Sequence, residues 1–186
     1  MKSGRSSRGF TLLETLVVAL LIGIVALAAV PLLSSQNPTK LDAAAAEVGN
    51  ALRFATSEVE RIGSGGCVYV DGSAPGHLRV YSSAVCGSGV WGAMSDPLTK
   101  RALDLDTSGP AFSGQVSMAA KFFLGGTAYT RLLIVGPGIV PGTQLLVFDG
   151  LSTLGPLEAG SGVVLTLGPQ SVTVALNETT GLVTLP

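Results

Sequence analysis

Arg8-Gly9-Phe10-Thr11-Leu12-Leu13-Glu14 opens an apolar run that continues to Leu33, and the reading of this stretch decides the fold of the chain. Lys2, Arg5 and Arg8 make residues 1–9 basic, with no acid among them. Residues 15–33 carry no charge. As a helix rising about 1.5 Å per residue, these 19 residues span about 28 Å, close to the ~30 Å hydrocarbon core of a bilayer. Glu14 sits just inside the start of the run. A carboxylate is costly there, and ionisable groups within a membrane usually have a task and a partner. The basic end is expected in the cytoplasm by the positive-inside rule, because no basic residue follows the run before Lys40. Everything beyond is then extracytoplasmic.

These residues resemble the N-terminal signature of type IV pilins and pseudopilins. The family pattern is a short basic leader, a cut between Gly and Phe, and a Glu at the fifth position of the mature chain. Here it falls on Gly9, Phe10 and Glu14, and the family's helix proline falls on Pro31. The resemblance implies that prepilin peptidase removes residues 1–9 and methylates the new N-terminus at Phe10. It also implies a single-pass subunit of the cytoplasmic (inner) membrane, in contact with lipid and passed by an assembly platform into a pilus or pseudopilus. Glu14 would then pair with an N-terminal ammonium during assembly with other pilin subunits. Two other readings compete. One is a Sec-secreted soluble β-protein, cut after Ala26-Leu27-Ala28. Glu14 interrupts the apolar core that such a signal needs, and residues 10–33 are long for one. The other is a plain transmembrane anchor, which leaves Glu14 without a reason.

With 186 residues, the chain has room for one domain beyond an N-terminal helix. Removing residues 1–9 takes away three of the 11 basic side chains and none of the 12 acidic ones, leaving 8 against 12. That balance argues against a general nucleic-acid binder. Only 12% of residues are charged and 25 are Gly, which suits a turn-rich β body with a weakly charged surface. Cys67 and Cys86 fall in the part expected outside the cytoplasm, where disulfides persist. A bond between them would contribute about 3 kcal/mol. Two separate buried thiols is the alternative, because spacing does not show whether the two Cα atoms approach.

Ser34-Ser35-Gln36-Asn37-Pro38 interrupts the apolar pattern, and a helix break is expected over 34–40, with Pro38 as its cause. Asn37 is suited to cap a new helix with Pro38 at its first position. Thr39 and Asp42 form a weaker, competing capping box. Leu41, Ala45, Val48, Leu52, Ala55, Val59 and Ile62 then recur at spacings of four and three, with Glu47, Arg53, Glu58, Glu60 and Arg61 off that face. This narrow, alanine-rich stripe suits packing against a sheet better than a coiled coil. Gly63-Ser64-Gly65-Gly66 ends it. Short β-rich runs follow at 67–70, 78–81, 102–105, 115–118, 131–135, 144–148, 163–167, 171–176 and 182–185, punctuated by Gly, Pro, Asp-Gly and Thr-Gly. The expected class is α+β and pilin-like, a long N-terminal hydrophobic helix packed on an antiparallel sheet. Its parts are a leader at 1–9, a transmembrane and assembly segment at 10–33, the break, an amphipathic helix at 41–62 and a β-rich body at 63–186.

Ala51-Leu52-Arg53-Phe54-Ala55-Thr56-Ser57-Glu58 looks like the second half of the helix in the GspH/FimT group. Phe148-Asp149-Gly150, the runs at 163–167 and 172–176, and Thr180-Gly181-Leu182-Val183 are more loosely similar to that group's tail. The resemblance implies a minor pseudopilin of type II secretion or a minor pilin of a type IV pilus. Pro38 departs from the group's unbroken helix, and residues 87–143 carry no assignable motif.

No catalytic constellation stands out, and the chain is expected to be neither an enzyme nor a cofactor protein. His77 is the single histidine, so no histidine cluster for a metal forms within one chain. It reads as a solvated residue beside a Pro-Gly turn. Asp104 and Asp106 alternate and share one strand face, more as a solvated edge than as a cation site. Gly136-Pro137-Gly138 and Pro141-Gly142 mark loops, not a phosphate cradle. Lys100, Arg101, Lys121 and Arg131 are the basic residues after Arg79. A competence minor pilin would touch DNA through them, but spread over three segments they read as ordinary surface, and DNA is not an expected partner.

Overall fold

The structure is a computed structural model describing residues 12–34, 36–97, 99–109, 112, 115–136 and 144–186, with the backbone alone for 26–34 and 36–38. It divides into two compact units, Met1–Asn37 and Pro38–Pro186.

In the first unit, helix α1 covers Leu12–Ser34. Its apolar residues go round the whole circumference, and every side chain described between Leu12 and Val25 is exposed. Helix α2 covers Gln36–Ile62. Its helical backbone takes in residues 36–40, inside the segment where a break is expected. Pro38 is its third residue. The first four N–H groups of a helix have no intrahelical acceptor, so a proline there forfeits no bond.

In the second unit, α2 keeps one face in the core. Leu41, Ala45, Val48, Leu52, Ala55 and Val59 are buried, as are Ala44 and Ala51, and Ile62 packs against them. The helix ends where Gly63 turns left-handed at φ +84° and donates its N–H to the Val59 carbonyl at 3.1 Å.

The strands are β1 (Cys67–Asp71), β2 (His77–Ser83), β3 (Gly92–Ala93), β4 (Asp104–Asp106), β5 (Ser117–Leu124), β6 (Thr127–Tyr129), β7 (Arg131–Val135), β8 (Leu145–Phe148), β9 (Thr153–Pro156), β10 (Gly162–Leu167), β11 (Gln170–Leu176) and β12 (Val183–Thr184). They form a seven-stranded sheet in the order β3-β2-β1-β7-β8-β9, with β4 also on β2, and a five-stranded sheet in the order β12-β11-β10-β5-β6. Every pairing is antiparallel. β3 and β4 share the outer edge of β2, the first beside Tyr81 and Ser82, the second beside His77, Leu78 and Arg79.

One core joins α2 to both sheets, with Val68, Val70, Leu78, Leu132, Ile134, Leu145, Val147, Phe122, Val163, Leu165 and Val174 among its buried members. The alternate residues of the same strands make a smaller cluster on the other face of the larger sheet. Cys67, Leu133, Val135, Leu146 and Phe148 are buried there, with Tyr69, Cys86 and Trp91 against them. Burial on both faces explains why β7 and β8 read as unbroken apolar runs.

β3, β6 and β9 have no counterpart among the expected strands. β4 starts two residues later than its run, and β5 continues past Met118 to Leu124. That continuation pairs with β6 across Gly125-Gly126, whose φ values of +59° and +75° give the two-residue hairpin its handedness.

Candidate functional site

Glu14 lies in the first turn of α1, where the helix dipole favours a negative charge. Thr15 Oγ1 donates to the Leu12 carbonyl at 2.8 Å, closing that turn. Around and beyond Glu14 the surface is apolar on every side: Leu16 is 60% exposed, Leu20 60% and Ile22 64%. Ala19 is exposed as well, and a Cβ built at Gly23 would meet nothing within 4 Å. Pro31 is part of the helical backbone of α1. Gly9 and Phe10 lie outside the described residues, and so does the side chain of Ala26. Among the described residues no helix is long and apolar enough to cross a membrane. The expected span at 15–33 runs past Val25 into residues described by their backbone alone.

In the body, Cys67 and Cys86 are disulfide-bonded, with Cα atoms 5.5 Å apart. The bond ties the start of β1 to the loop after β2. His77 is not a solitary loop residue. It begins β2, and its Nδ1 lies 2.9 Å from Asp104 Oδ1, while Nε2 lies 3.9 Å from Asp106 Oδ1. Asp104 also accepts from Arg79 Nε at 3.0 Å. The β2–β4 register produces this grouping by setting His77 opposite Asp106 and Arg79 opposite Asp104. Hydrogen bonds from Ser108 hold the Asp106 carboxyl below its ordinary range. Among the described residues no group of three or more His, Cys, Asp or Glu side chains is placed to hold a metal ion.

Arg131 is tied into the fold. It donates to Asp71 Oδ1 at 3.1 Å, to the Asp149 carbonyl at 2.6 Å and to Ser73 Oγ at 3.4 Å. Tyr69 donates its hydroxyl to Asp71 Oδ2 at 2.8 Å. Burial pushes the Asp71 carboxyl up, but hydrogen bonds from Ser73 and Tyr69 and the Arg131 guanidinium outweigh it and hold the group below its ordinary value. Burial and the bond to Asp71 raise the Tyr69 hydroxyl. Arg79 is paired with Asp104, and Arg61 with Glu58. Of the basic residues considered for DNA, Arg131 is thus committed to contacts within the fold.

Residues 4–30 match the prokaryotic N-terminal methylation motif. The match is a type IV pilin-like signal, and it takes in Gly9, Phe10 and Glu14 while stopping short of Pro31. It supports a pilin-like subunit that is processed by prepilin peptidase. No curated protein and no solved structure shows significant similarity to the chain.

The methylation motif belongs to α1 and its approach, and the body carries features that the sequence did not single out. Tyr69 stacks on Tyr81 with ring centroids 4.9 Å apart, and Trp91 and Phe148 pack edge-on to Tyr69 at 5.1 and 5.4 Å. The signal for the first pair was available, because Tyr69 and Tyr81 face one another in a β1–β2 hairpin in register. Trp91 reaches the cluster through the disulfide-tied loop, which nothing local in its sequence announces.

Proposed function

We propose that the chain is a minor pilin or pseudopilin of the GspH/FimT group, a structural subunit of a type II secretion pseudopilus or a type IV pilus. It is not an enzyme. The carrying observation is α1, which is apolar all round, exposed, and led by one carboxylate inside the matched methylation motif. A helix of that kind needs apolar surroundings on every side. Each leucine- or valine-sized side chain gains about 1.5–3 kcal/mol on leaving water. The inner membrane supplies such surroundings before assembly, with the N-terminus cytoplasmic and the body outside, and the helices of neighbouring subunits supply them afterwards.

Glu14 gives the assembly its register. Cleavage after Gly9 creates an ammonium at Phe10, four residues before Glu14, and four residues of helix rise only about 6 Å. The same carboxylate also reaches the N-terminus of a neighbouring subunit. In apolar surroundings that second pairing is strong and a mismatched one is costly, so one axial offset is favoured. The DNA-binding reading gains no support from Arg131, one of the four basic residues it would use, which is already paired with Asp71.

The test compares processed protein in membranes with protein in sheared filaments. Glu14→Ala is expected to insert and be cleaved like the parent but to enter filaments poorly. Glu14→Asp, with its shorter reach, falls between them. Equal incorporation of Glu14→Ala and the parent would exclude the register mechanism.

A further inference from the structure

A groove runs along the body between α2 and the segment that carries β3 and β4. It consists of two adjoining cavities of about 380 and 410 Å³ that share Glu47, Asp96, Leu103 and Leu105 as lining residues. The floor is apolar. Leu103, Leu105 and Phe54 are half-buried, with one side packed on the core. The rim is acidic, with Glu47 from the helix and Asp96, Asp104 and Asp106 from the strand segment, against Arg101 as the one cation among the lining residues. Asp96 accepts the Thr99 N–H at 2.8 Å and Asp106 the Ser108 N–H at 2.8 Å, so both carboxylates are fixed at the rim by their own turns.

We propose that this groove is a docking surface for a cationic segment of another protein, one in which Lys or Arg side chains flank an apolar residue. The apolar residue would sit over Leu103, Leu105 and Phe54, and the cations would face Glu47 and the aspartates. Charge complementarity selects this occupant. Arg79 offsets part of the charge of Asp104, but the lining residues remain acidic in sum. An anionic lipid surface or a nucleic acid would be repelled. A second copy is a poor match, because residues 10–186 carry 8 basic side chains against 12 acidic ones. Such a surface favours encounter with a basic partner and discriminates against other copies of the same chain. The inference rests on the groove alone and does not depend on how α1 is used.

The test uses the full chain in a zwitterionic detergent and a pentapeptide alternating lysine and leucine, with its glutamate–leucine counterpart as control. Binding is followed by chemical-shift mapping. The expected result is a set of shifts confined to α2 near Glu47 and Phe54 and to residues 96–106. Those shifts weaken as salt rises and are absent with the glutamate peptide. Glu47→Lys and Asn50→Lys lie on an exposed helix face and leave the core untouched, and each should weaken the lysine peptide about fivefold or more. Shifts scattered over the surface, equal binding of the two peptides, or unchanged affinity in both variants would overturn the proposal. Groove shifts that follow the chain's own concentration without peptide would also overturn it, by making a second copy the occupant.

Discussion

Helices α1 and α2 are neighbours in the chain and obey opposite rules. In α1 the apolar residues go all the way round, and those described are exposed. In α2 they keep to one stripe, and that stripe is buried against both sheets. The stripe in α2 needs only the body of its own chain to be satisfied. The surface of α1 needs something outside the chain, on all sides at once. The difference separates a folding task from an assembly task, and it predicts that substitutions of one kind have different consequences in the two helices.

The largest effect is expected from placing a charge in each. Leu52 is 1% exposed, and Leu52→Asp buries an unpaired carboxylate, costing about 4 kcal/mol or more and unfolding the body. Leu20→Asp should leave the body's thermal transition in detergent unchanged while reducing retention in membranes. A body equally destabilised by both substitutions would erase the distinction between the helices.

The disulfide comes next. Replacing Cys67 and Cys86 together with Ser should cost about 3 kcal/mol in urea unfolding and leave insertion through α1 untouched. Loss of insertion in this variant would show that the two regions are not independent.

A smaller effect is expected at Arg131, and it sharpens the electrostatic side of the body. Arg131→Ala removes charged hydrogen bonds to a half-buried carboxylate and should cost about 1–3 kcal/mol. The folded Asp71 titrates below its ordinary value of 3.8, so its contribution is fully present above that pH and is lost as pH falls through the folded value. Asp106 and Asp149 act in the same direction. Acid unfolding of the parent should therefore be steeper than that of Asp71→Asn, as read from melting temperature against pH below about pH 4.

The stripe of α2 was legible because a period near 3.6 over six turns leaves little choice of face. β1, β2, β7, β8, β10 and β11 were legible because Val, Ile and Leu crowd into short runs between turn residues. β3, β6 and β9 were not, since strands this short take their pairing from the neighbour and not from their own pattern. The end of β5 was readable in principle, from Gly125-Gly126 between apolar and β-prone residues. Asp104 and Asp106 were rightly placed on one face, but His77 joins them from a strand 27 residues away in the chain, and only the sheet register brings that about. At the site, Gly9, Phe10 and Glu14 stood out because a basic leader, a cleavable Gly-Phe and a misplaced carboxylate occur at fixed spacing.

The mass of the mature N-terminus, taken on native material, tests the central claim most directly. The account predicts a chain that begins at Phe10 and carries one added methyl group, leaving a free amine four residues before Glu14. A chain that begins at Ala29 would contradict it, because most of α1 would then have been discarded as an export signal and the apolar helix would not remain to assemble.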